Sequence, residues 1–146
     1  MLKGLGDEHG LVFNCKGDGR TPNTVLFHTV MKFFADRDAA EVPRGSQQDR
    51  FQAAAFEEYY THGTPFHSDD QGASCLKAAE RAGLDTQELR AFLQDAEKLN
   101  AKMRQVSQEA ASLAQQINGV PFYIVDGKPL GSGATAMEGW REAFGL

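Results

Sequence analysis

Gly119-Val120-Pro121-Phe122-Tyr123-Ile124-Val125-Asp126-Gly127 is the stretch that separates an α/β chain from an all-helical one. From Val120 to Val125 the residues are apolar, β-branched or aromatic without a helical spacing, which predicts a strand covered on both faces. Asp126-Gly127 predicts a two-residue hairpin turn, because both turn positions need positive φ. Lys128 to Leu130 is then the returning strand, and Pro129, which has no N–H, assigns it to an edge. Gly131-Ser132-Gly133 makes a second bend. Thr135 with Glu138 predicts a capped closing helix carrying Met137, Trp140 and Phe144 on its inner side.

Everything upstream reads as helix. Gly4, Gly6, Gly10, Gly17 and Gly19 bracket one short apolar run, Leu11 to Phe13, a candidate for a brief strand. Thr21-Pro22 predicts a helix start with Pro at the first helical position, and Leu26, Phe27, Val30, Met31 and Phe34 share one face of that helix. Ser46 with Asp49 opens a second helix whose stripe is Phe51, Ala55, Phe56, Tyr59 and Tyr60, stopping near Gly63-Thr64-Pro65. Ser68 with Gln71 starts a third, and Gly83 stops it. Asp85 with Glu88 starts a fourth, with Leu89, Phe92 and Leu93. The fifth carries Leu99, Met103, Val106, Ala110, Leu113 and Ile117 in alternating steps of four and three, closed by Asn118-Gly119. A two-stranded hairpin is marginal alone. Its further neighbour is Leu11 to Phe13, a segment outside this chain, or a second copy.

With 146 residues, 41% hydrophobic and 24% charged, the chain reads as one globular domain and not as a disordered tail. A net charge of −5 with scattered Lys and Arg argues against a nucleic-acid partner, so none is expected. No apolar run approaches the ~18 residues that a membrane helix needs, so no membrane partner is expected. Met1 to Gly10 lacks the regions of a signal peptide. Cys15 and Cys75 form no Cys-X-X-Cys, and a separated pair in such a chain predicts two reduced thiols and a cytoplasmic setting.

Several of these stretches together resemble a known family. Gly119 to Gly127 resembles the Gly-Val-Pro-X-Phe-X-hydrophobic-X-Gly stretch of DsbA-type thioredoxin folds, and Gly131-Ser132-Gly133-Ala134 the bend before the final helix in its FrnE-like branch. Pro22-Asn23-Thr24-Val25-Leu26-Phe27-His28 is similar to that branch's Asn-Thr-X-X-Ala-His, with Phe27 departing at the Ala position. Tyr59-Tyr60-Thr61-His62-Gly63 resembles the end of its second insertion helix, and Ala82-Gly83-Leu84-Asp85 its Ala-Gly-Leu-Asp. The ordering holds over roughly residues 5 to 144. The resemblance implies an α/β thioredoxin-like fold of DsbA type, helix-dominated, with a helical insertion at about 21–96 and a small hairpin sheet. It also implies that this single domain, 1–146, is incomplete at its N-terminus, without the strand–helix–strand unit bearing Cys-X-X-Cys.

The function implied is that of a protein thiol–disulfide oxidoreductase or isomerase, redox-inactive as this chain stands. Exchange needs a thiolate with a resolving thiol in reach. Cys15, in a Gly-rich loop, and Cys75, beside Leu76 and Ala79, read instead as structural, so no catalytic residue is assigned. The resemblance gives Pro121 a cis peptide bond and makes Gly119, Val120 and Pro121 the surface that takes an extended protein or peptide. Asn23, His28 and Ser132 are further candidates: His28 reads as a core or surface histidine, and Ser132 matches a bend that glutathione-using relatives place against glutathione. Ala134 departs from the acidic residue of those relatives. His62, His67, Asp69 and Asp70 suggest a metal cluster, yet a helix start explains the acids, so neither metal nor cofactor is expected. Two alternatives stand beside the oxidoreductase reading: a non-catalytic peptide-binding module or homodimer, and a glutathione-dependent isomerase or transferase.

Overall fold

The computed structural model describes residues 2–14, 24–38, 45–66, 70–115, 117, 119–133 and 135–146. Its contacts fall into two compact units, Met1–Val106 and Ser107–Leu146. The first holds α1 (Leu2–Glu8), α2 (Val25–Ala35), α3 (Gln47–Phe56), a π-helical turn (Glu57–Thr61), α4 (Ala73–Arg81) and α5 (Gln87–Gln94). The unit boundary falls within α6 (Ala96–Ala114), and the second unit continues through β1 (Phe122–Val125), β2 (Lys128–Ser132) and α7 (Met137–Ala143).

Burial, more than intrinsic propensity, holds the helices of the first unit. The residues of α2 are largely β-branched or aromatic, poor helix formers in isolation. They are helical because Leu26, Val30, Phe33 and Phe34 recur at core-facing spacing and are all buried. Thr29 shares that face, and its hydroxyl donates to the Val25 carbonyl at 2.7 Å, so no polar group is stranded. Phe51 from α3, Cys75, Ala78 and Ala79 from α4, and Leu89 from α5 complete the core with Phe66 and Leu84. Each large side chain buried there contributes about 1.5–3 kcal/mol.

The helix ends follow local chemistry. Ser46 Oγ accepts from the Asp49 N–H at 3.0 Å, as the capping pattern predicts. After α4 the Leu84 N–H returns to the Ala79 carbonyl at 3.0 Å, the stop expected at Gly83. Asp85 Oδ1 accepts from the Gln87 N–H at 2.8 Å and opens α5.

Several expectations are corrected. Leu11 to Phe13 is not a strand: the Leu11 N–H bonds the Gly6 carbonyl at 2.8 Å, the Asn14 N–H bonds the Tyr60 carbonyl at 2.5 Å, and the Thr61 hydroxyl bonds the Val12 carbonyl at 3.1 Å. With those groups engaged by helix ends, no ladder forms. The glycine-containing stretch before it holds α1. The third helix begins at Ala73, where Asp70 receives the Gly72 and Ser74 N–H groups at 2.7 and 3.0 Å. Ser68 lies outside the described residues, as do Thr21-Pro22 and Asn118. The long α6 has no buried residue, and Leu113 is exposed. Its first turn is held by Asp95, which accepts from the Lys98 N–H at 3.0 Å. Thr135 does not cap α7, whose N-cap is Ala136 without a side-chain bond, and Met137 and Phe144 are exposed.

Candidate functional site

The hairpin in the second unit begins with the residues singled out by sequence. Asp126 (φ 49) and Gly127 (φ 75) both take positive φ, so the turn is of the mirror-image kind that matches strand twist. β1 and β2 pair antiparallel, Phe122 opposite Ser132 and Tyr123 opposite Gly131, then Ile124 opposite Pro129 and Val125 opposite Lys128. The jump between Tyr123 and Ile124 leaves Leu130 unopposed, a bulge beside Pro129, where a ladder donor is missing. The Gly133 N–H donates to the Pro121 carbonyl at 2.7 Å and extends the pairing by one step toward the open end. On one face, Tyr123 packs edge-on against Trp140 of α7 at 4.7 Å, and Trp140 stacks on Phe144 at 5.9 Å.

β1 is therefore not the doubly covered strand that its composition predicts. Among the described residues its sheet has two strands, and Ile124 is exposed while Phe122, Tyr123 and Val125 are half-buried. The Val120–Pro121 bond is cis. Val120 is 81% exposed, and among the described residues its backbone takes part in no turn or loop hydrogen bond. Gly119 and Pro121 are exposed beside it. These residues form a projecting corner where the chain enters the sheet. Ser132 lies in β2 opposite Phe122. Asn23 and Ala134 lie outside the described residues.

The remaining candidates are in the first unit. Cys75 is 2% exposed on α4, and burial, with a smaller push from the Asp70 carboxylate, raises its thiol to about 12. A thiol so placed is protonated at neutral pH and shut away from solvent, so it cannot open a disulfide. Cys15 lies outside the described residues. His28 is on the outer side of α2, its ring 5.2 Å from that of Phe27, and desolvation lowers its pKa, which leaves it neutral at physiological pH. The suggested metal cluster does not assemble where it can be seen. His62 faces Glu57 at 3.6 Å, Asp70 is engaged in capping, and His67 and Asp69 lie outside the described residues. Among the described residues no three His, Cys, Asp or Glu side chains converge on one point.

The sequence reading passed over Glu58. Its side chain is 3% exposed, yet it meets Lys77 Nζ at 2.7 Å, the Thr64 hydroxyl at 2.7 Å and an Arg81 nitrogen at 3.4 Å. Burial works to raise its pKa, but the hydrogen bonds from Lys77 and Thr64 outweigh that and hold the carboxyl below its usual range. The spacing carried a signal: Glu58 follows Phe51 by seven positions and Ala54 and Ala55 by four and three, which is the core-facing stripe.

Among the described residues, no helix is long and apolar enough to cross a membrane. Neither a curated protein nor a solved structure matches the chain. A family model described as a DSBA-like thioredoxin domain matches residues 1–145. The hairpin that opens on Gly119-Val120-Pro121, the helix packed over its Tyr123 face and a match over nearly the whole length agree, and the chain belongs to the DSBA-like thioredoxin domain family, a family of thiol–disulfide oxidoreductases.

Proposed function

We propose that this chain, a FrnE-like member of its family, binds extended polypeptide at Gly119, Val120 and Pro121 without contributing a redox nucleophile from residues 1–146. The observation that carries the reading is the exposed corner at Val120, an 81% exposed apolar residue whose backbone is left unpaired among the described residues. An unpaired backbone at the entry to a strand is what an added strand uses, main chain supplying affinity and alternate side chains supplying selectivity. The chemistry of Cys75 supports the other half: a thiol at about 12 and 2% exposed has no usable thiolate. Extended protein or peptide segments are the partners this predicts. A second reading rests on β1 having only β2 beside it among the described residues, which leaves an edge for a second copy of the chain.

The test is a titration with unfolded, cysteine-alkylated polypeptide, followed by amide shifts at residues 119–121. Val120→Pro removes the N–H without adding charge, and binding is expected to weaken by about 5- to 10-fold for one lost backbone hydrogen bond. Insulin reduction by the chain is expected to stay at the level of a thiol blank. Shifts that bypass the corner, or turnover well above the blank, would each end the proposal. Sedimentation at varied concentration addresses the second reading, which a strict monomer removes.

A further inference from the structure

Five aromatic rings in the first unit touch in a closed circuit. Phe27 of α2 lies 6.5 Å from Phe56 at the end of α3, and Phe56 lies 5.8 Å from Tyr60. Tyr60 lies 4.9 Å from Tyr59, Tyr59 lies 6.4 Å from Phe66, and Phe66 returns to Phe27 at 5.7 Å. The circuit surrounds a cavity of about 200 Å³ whose remaining lining, among the described residues, is Ala55 and Thr24. Ala55 and Phe66 are buried, whereas Phe56 is 47% and Tyr60 38% exposed. The cavity is thus a cup with its base in the core and its lip at the surface.

The π-helical turn shapes this cup. The His62 N–H reaches the Glu57 carbonyl at 3.1 Å, five residues back, so the turn is wider than an α-turn and sets Tyr59 and Tyr60 round the opening. Such turns recur at functional positions. Two large rings left partly in water at the lip, around a cavity not filled by any described side chain, are the reverse of what core packing favours.

We propose that this cup binds a small, uncharged aromatic molecule of one or two fused rings. Size points to that class, since an apolar cavity of about 150 Å³ accepts benzene. Ring geometry does too, because walls set edge-on and offset to one another offer an inserted ring the same favourable contacts. Charge narrows the class further. No Asp, Glu, Lys, Arg or His stands among the described lining residues, and the charges of the neighbouring π-helical turn are engaged with partners. Arg81 pairs with Glu57 and Glu58, and Lys77 with Glu58. A charged ligand would give up water and meet no counter-ion. The ligand is a free molecule and not an aromatic side chain on a polypeptide, because the polar groups at the lip are already occupied: the Tyr60 carbonyl accepts from the Asn14 N–H, and the Thr61 hydroxyl donates to the Val12 carbonyl.

Indole titrated into the full chain is expected to give saturable shifts at the amides of residues 55–62, with a dissociation constant on the order of 1 mM or tighter. Phe56→Ala and Tyr60→Ala, both at the exposed lip, are each expected to weaken it by roughly 2- to 12-fold. Phe56→Leu keeps the apolar bulk without the ring and gives the same reading if the alanine variant unfolds. Choline chloride and benzoate at equal concentration are expected to cause no saturable shift at these residues. The proposal is overturned by an absence of saturation, by affinity unchanged in the lip variants, or by choline or benzoate matching indole. N-acetyltryptophanamide binding much more tightly than indole overturns it as well, since that would make the partner a polypeptide.

Discussion

Replacing Cys15 by Ser leaves Cys75 as the sole thiol of the chain and turns its burial into a rate. An ordinary thiol near 8.5 is about 3% ionised at pH 7. Cys75, pushed up to about 12 and 2% exposed, is ionised in about one molecule in 10⁵ at that pH. The thiolate population is therefore lower by roughly 3,000-fold. A more basic thiolate is intrinsically more nucleophilic, and a Brønsted slope of about 0.45 returns a factor of roughly 40, which leaves roughly 80-fold. Enclosure in the core slows attack further, because the reagent reaches the sulfur only after local opening. The Cys15→Ser chain is thus expected to react with an aromatic disulfide reagent at least ~100-fold more slowly than free cysteine at pH 7, and at an ordinary rate in denaturant. The same residue links stability to pH. The unfolded thiol ionises first as pH rises, so stability is intact below about 8.5 and is lost above it, by about 2 kcal/mol at pH 10. A native-state rate within about tenfold of free cysteine would refute the reasoning, since neither burial nor the raised pKa allows it.

Two further outcomes follow from the first unit. Glu58 has a folded pKa held below its unfolded value, so its contribution is present above about pH 4.3 and lost as pH falls through the folded value. Glu58→Gln is expected to cost about 1–3 kcal/mol at pH 7 and to flatten the acid limb of a denaturation profile, and an unchanged limb would assign that sensitivity elsewhere. Gly72 stands before α4 at φ +84, where an added Cβ would lie 2.8 Å from a Leu93 methyl. Gly72→Ala is expected to cost about 1–2 kcal/mol in chemical denaturation, since the side chain can yield but the left-handed backbone cannot, and a neutral result would place that loop in another conformation.

What the sequence determined by itself was local. The Asp126-Gly127 turn, the Ser46 cap, the stop at Gly83 and the apolar face of α2 each depend on φ preferences or hydrogen bonds within a few residues, and these were legible. So was the membership carried by Gly119-Val120-Pro121 and the hairpin after it. Tertiary structure decided what depends on residues far apart in the chain. Leu11 to Asn14 is no strand because Tyr60 and Thr61 take its hydrogen bonds. Glu58 is buried because Lys77 and Arg81, about twenty residues on, neutralise it. The aromatic cup exists because α2, the end of α3, the π-helical turn and Phe66 converge on one point. A periodicity argument places a side chain on a face, and it does not say which other faces that side chain will meet.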